Sequence, residues 1–319
     1  MKVNWDISFK GVYTNKALKR GLEFAADNGA LFASTAAVGF SVLRPLVIMN
    51  TPKTEKENRR IASAKSITSS IIGFLLLLGL SAPLAKSIKK IDANPEKFLE
   101  KDTVQKLKDS GEKLLNSKGY IFATQLFKLG LGTLAAIPKA MLVALGVPYI
   151  MKVFSKDEYT SKEGQLSFRG NPTDKLAKKI GIAINKKGFL NFVEKNKDTN
   201  FPMHITALTD ILATGAFIYS AKRSKKIAEE RKKPLIYNSA ISTGLSIAGG
   251  YGIDKLLDKP TEKFIKNYKL ANFGQKNLEK QIQGIRIAKP ILILGTIYYI
   301  LIPLISTFLA EKANENFDK

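Results

Sequence analysis

Residues 66–85 read SITSSIIGFLLLLGLSAPLA and carry no charge between Lys65 and Lys86. A helix of about 20 apolar residues spans the hydrocarbon core of a bilayer. A surface helix of a globular protein would instead show a polar stripe every 3.6 residues. Residues 290–310, PILILGTIYYILIPLISTFLA, have the same character between Lys289 and Glu311. These two stretches point to an all-α, polytopic membrane protein.

Six apolar segments follow from that reading: 29–49, 66–85, 120–151, 203–221, 234–253 and 287–310. The segment 234–253 is uncharged but rich in Ser, Thr and Gly, so its insertion needs partner helices. Three others carry Arg44, Lys128 with Lys139, and Asp210. A central charge costs about 2.5–3.5 kcal/mol on insertion scales, so such residues face a bundle interior, pair or snorkel. A mean hydropathy of −0.05 keeps a soluble helical bundle as the competing class.

With 51 basic and 27 acidic residues the net charge is +24, which favours a polyanionic neighbour. The lysines flank the apolar segments, and no helix-turn-helix, zinc-finger or RNP pattern is legible. Anionic membrane lipid is therefore the expected partner, and nucleic acid is not. Oligomerisation stays open. The absence of cysteine removes disulfides, thiolate metal sites and cysteine nucleophiles. His204 is the sole histidine, and GGYG at 249–252 lacks the GxxxxGK[ST] pattern of a phosphate loop. No GxSxG stretch occurs either, so no catalytic residue, metal or cofactor is expected and the chain reads as a non-enzyme. The polar, basic start shows no cleavage pattern, and a retained N-terminus in a cytoplasmic-type membrane is expected.

Landmarks recur in order. SFKG at 8–11 is echoed by SFRG at 167–170, SITSS at 66–70 by AISTG at 240–244, and PEKFL at 95–99 by PTEKFI at 260–265. Pro148 and Pro303 sit in similar apolar surroundings. The reading is a tandem duplication into halves 1–155 and 156–319 with three apolar helices each. Amphipathic surface or docking helices are expected at 95–117 and 258–283.

Three spans per half would invert the second half, as in many transporters. Yet the loops 51–60 and 221–233 are both strongly basic, and positive-inside logic places both on the cytoplasmic side. Either one loop alone sets the orientation or a third segment fails to span, and 120–151, with Pro138 and Lys139 at its middle, is the expected point of failure.

Thr206, Asp210 and Thr214 recur every four residues and share a helix face. An intramembrane acid flanked by hydroxyls suits a cation or proton pathway, or a structural pair with lysine. Lys139 and Lys128, three turns apart, are candidate partners or anion contacts. Gly244, Ala248 and Gly252 form a small-residue ridge suited to helix packing. Glu23, Asp27 and Ser34 lie at the entry to the first apolar segment, where acids favour a helix N-terminus. Two functions remain: a transporter-like bundle for a small solute, ion or lipid, which the repeat and the buried charges favour, and a membrane scaffold that binds anionic lipid or a partner. An intramembrane enzyme ranks below both.

Overall fold

A computed structural model describes residues 13–109, 111, 113–154, 173–275 and 277–317, apart from the side chains of 30, 34, 77, 254–259 and 317. Both SFKG and SFRG lie outside those residues. Regular structure among the described residues is entirely helical. The chain divides into two compact units, one formed by 1–63 with 233–319 and the other by 64–232.

In the first unit, α1 (Lys16–Asp27) is opened by Asn15, whose side chain accepts from the Ala17 and Leu18 N–H groups at 2.8 and 3.2 Å. It is followed by α2 (Gly29–Met49) and the first turns of α3 (Lys56–Leu76). Arg59 donates to the carbonyls of Met49 and Thr51, satisfying acceptors at the end of α2, and Ser63 donates to the Pro45 carbonyl at 2.9 Å. These bonds close a tight α2–α3 hairpin.

The unit is completed by α11 (Glu229–Ala271, from 233 onward), α12 (Leu278–Thr296), a π-helical turn (Ile297–Leu301) and α13 (Ile302–Phe317). Asn238 donates to Thr307 at 3.0 Å, Tyr298 to the Ser246 carbonyl at 3.1 Å and Tyr268 to Gln281 at 2.7 Å. One set of residue numbers rises as the other falls, so α11 runs antiparallel to α12 and α13. A core of Tyr13, Leu22, Ala25, Ile265, Tyr268, Ile282 and Ile285 joins α1 to these helices.

The second unit holds the rest of α3, a π-helical turn (Leu77–Ser81), α4 (Ala82–Ala93), α5 (Pro95–Phe98) and α6 (Lys101–Leu107). It continues with α7 (Lys118–Phe154), α8 (Thr173–Ile184), α9 (Lys187–Asn196) and α10 (Phe201–Arg223). Its core draws Leu84, Ile88 and Ile91 from α4, Tyr120 and Phe122 from α7, and Ala177, Ile180 and Ile184 from α8.

Among the described residues five helices are long and apolar enough to cross a membrane: Leu31–Met49, Lys56–Ala93, Lys118–Phe154, Phe201–Arg223 and Leu278–Asn316. The segment around 120–151 is among them by length and composition, since α7 continues unbroken through Pro138 and Pro148. Neighbouring helices allow proline within such a helix. The sixth expected span, 234–253, is helical but is not one of the five.

The expected helix over 258–283 is also corrected. The chain leaves α11 at Ala271 and turns at Gly274, whose φ of 78° favours glycine, before α12 begins. Its apolar stripe still docks inward: Phe264, Tyr268, Ala271, Leu278, Ile282 and Ile285 all join the core that holds α1. The region 95–117 likewise forms short pieces, α5 and α6, rather than one helix.

Candidate functional site

Asp210 and Lys139, both singled out from sequence, come together in the second unit, where α7 and α10 run parallel. Lys118 pairs with Asp198 at 2.9 Å, the Phe122 and Phe201 rings lie 6.3 Å apart, and Lys226 donates to the Tyr149 hydroxyl at 2.8 Å. Between these contacts the hydroxyls of Thr133 and Thr209 share a hydrogen bond of 2.8 Å.

Next to Thr209, the half-buried Asp210 lies within the field of the Lys139 ammonium. Lys139 is positioned by α7 and reaches α3, where its Nζ would stand 3.3 Å from any Cβ built on Gly73. Glycine there leaves room for the ammonium. A carboxylate, an ammonium and two hydroxyls thus gather where α3, α7 and α10 meet. Such a set can hold three helices in register or exchange a proton.

Other expected members stand apart. Thr206 is exposed and donates to the Pro202 carbonyl at 2.9 Å, while Thr214 is half-buried. Lys128 is exposed on α7. The chosen ridge of Gly244, Ala248 and Gly252 is exposed as well, and neither glycine has a neighbour within 4 Å. Packing of α11 uses a different face, with Asn238, Ser239 and Ser242 buried and Gly250 close to the Tyr298 hydroxyl.

At the entry to α2, the acids do more than face a helix end. Glu23 accepts from Gln281 at 2.7 Å and Asn277 at 3.3 Å, and these bonds hold its carboxyl below the usual 4.5. Asp27 pairs with Lys280 at 2.7 Å. Both acids therefore tie the start of the chain to α12. The side chain of Ser34 lies outside the described residues. Among the described residues no cluster of His, Cys, Asp or Glu could hold a metal ion.

No family model matches the chain, and neither a curated protein nor a solved structure is significantly similar to it.

Sequence reasoning missed a cleft in the first unit. About 340 Å³ of space is bordered by Ala33, Ala37, Phe40 and Arg44 of α2, Ser246 of α11, and Ile291, Leu294, Gly295, Tyr298 and Tyr299 of α12 and its π-helical turn. The signal was legible in part. Ala33, Ala37, Phe40 and Arg44 fall at i, i+4, i+7 and i+11, a helix face that is small at one end and cationic at the other.

Proposed function

We propose that the chain is an integral membrane protein made of two related halves, 1–155 and 156–319, and that it acts as a non-enzymatic scaffold gathering anionic lipid around its basic loops. The membrane placement draws support from an inside-out distribution of side chains. Val38, Val42 and Leu46 on α2 and Leu134, Met141 and Leu145 on α7 are exposed, whereas Thr68, Ser87, Asn238, Ser242, Ser306 and Thr307 are buried. Water penalises that arrangement and hydrocarbon favours it.

The halves draw support from matched contacts. Each closing helix has a lysine near its start that pairs with the acid preceding the other half's opening apolar helix, Lys118 with Asp198 and Lys280 with Asp27. Beside them, Tyr120 donates to Asp92 at 2.6 Å and Tyr268 to Gln281 at 2.7 Å, tying each closing helix to the stretch before it. The repeated phenylalanines match too, Phe98 packing on the core that contains α8 and Phe264 on the core that contains α1.

The observation that favours a scaffold over an inverted transporter is helix direction. If the three apolar helices of each half alternate in direction, an inverted second half would set its closing helix against α2. Instead α2 and α12 run together: Gly29 meets Ile287, Phe40 meets Gly295, and the Arg44 guanidinium lies 6.0 Å from the Tyr299 ring. Parallel halves place both basic loops on one face, in agreement with positive-inside logic.

The test uses Lys222→Glu with Lys225→Glu, both on the exposed end of α10 and its following loop. Each near-surface lysine is worth about 1 kcal/mol toward anionic lipid. Phosphatidylglycerol should be enriched over phosphatidylcholine among lipids that leave mixed vesicles with the wild-type chain, and the double variant should lose that enrichment. Equal headgroup ratios in both proteins would sink the scaffold reading.

A further inference from the structure

We propose that the cleft beside Arg44 is a binding site for one anionic lipid, its phosphate or carboxylate head on the guanidinium and an acyl chain along α2. This deepens the lipid-gathering reading above and rests on the same membrane placement. It names a single site where that reading has only a basic surface.

The cleft has two chemically distinct ends. Arg44 supplies the cation, and its Nε is buried with no hydrogen-bond partner. An unanswered donor in an apolar setting costs about 1–3 kcal/mol, more when it is charged, and an anion beside the guanidinium offsets the cost of burying that charge. Tyr299 flanks the guanidinium with its ring face at 6.0 Å and leaves that donor unmet.

From Arg44 the lining turns apolar. Ala33, Ala37 and Phe40 continue along α2, and Ile291, Leu294 and Gly295 form the opposing wall. Eleven helical steps, from Ala33 to Arg44, give a trough about 16 Å long. Arg44 stands five residues before the end of α2 at Met49, on the side of the basic 51–60 loop. A head group at Arg44 therefore lies near the membrane surface while its tail runs inward beside the alanines.

A free inorganic anion would use only the Arg44 end. A zwitterionic lipid would fill the trough but bring its own cation to the guanidinium. Charge and shape together select an anionic head carrying an acyl chain.

The chain in neutral detergent, examined by native mass spectrometry, tests the proposal with phosphatidylglycerol, phosphatidylcholine of the same chains, and inorganic phosphate as separate probes. One phosphatidylglycerol should stay bound, with the other two retained at least about tenfold less. Arg44→Gln removes the charge, and Ala37→Phe fills the trough while leaving the charge; each should cut phosphatidylglycerol retention by about tenfold or more. Circular dichroism of both variants should match the wild type.

Unchanged retention in Ala37→Phe would overturn the tail placement, and unchanged retention in Arg44→Gln would overturn the head placement. Phosphate retained as well as phosphatidylglycerol would reduce the site to a simple anion contact and sink the proposal. Equal headgroup ratios for the wild type and the loop double variant in mixed vesicles, with a retained single lipid, would fail the scaffold reading alone, so the two ideas fall separately.

Discussion

Asp210 was legible as an intramembrane acid and Lys139 as an intramembrane base, but their proximity was not. It depends on two helices separated in the chain by residues 155–200 meeting in parallel, and on Gly73 of a third helix leaving space for the ammonium. No local pattern carries that information. Lys128, equally visible in sequence, sits on the exposed side of α7 and stays outside the set. Removing one member of a buried pair leaves the other uncompensated, whereas removing both is often neutral. With Asp210 only half-buried, Asp210→Asn should cost about 1–3 kcal/mol of stability. Asp210→Asn with Lys139→Met should recover most of it, measured by thermal unfolding in detergent. Additive losses in the double variant would mean that the two side chains act independently.

At the scale of elements, the apolar continuity of 66–85 and 290–310 identified helices that the structure retains, and the EKF landmarks marked segments that dock. The break inside 258–283 was hidden, because Asn272 and Gly274 interrupt a stripe whose residues all belong to one core. The ridge of Gly244, Ala248 and Gly252 stands exposed, while Asn238, Ser239 and Ser242 of the same helix are buried. Small residues permit close approach without dictating which face is used. Closeness is decided instead at Gly284, where an added Cβ would collide with the Leu22 carbonyl and force α1 away from α12. Gly284→Ala should destabilise by about 1–3 kcal/mol. Gly130, in α7 with open space where a Cβ would stand, provides the contrast. Gly130→Ala should be neutral or stabilise by up to about 1 kcal/mol through helix propensity. Equal unfolding temperatures for the two variants would refute the close α1–α12 approach.

For the whole molecule, the direction of the helices fixes what a membrane would require of the chain. On the proposed membrane placement, the helix pair α3–α4 would cross once from the side of Thr54 and α7 would cross back. Since α7 and α10 run parallel with Lys118 beside Asp198, α10 would cross in the same direction as α7 and bring Ser224 to the side of Phe154. The crossing of α10 is the step most exposed to refutation. The chain has no native cysteine, so Thr54→Cys, Ser224→Cys and Lys186→Cys can be labelled one at a time with a membrane-impermeant thiol reagent. In intact cells Thr54→Cys and Ser224→Cys should behave alike, and Lys186→Cys should behave oppositely, with all three reacting once the membrane is opened. Thr54→Cys and Ser224→Cys on different faces would restore the inverted arrangement and with it a transport pathway through Asp210. Lys186→Cys on the face of Ser224→Cys would mean that α10 does not cross, and its apolar side would then have to be covered by protein rather than lipid.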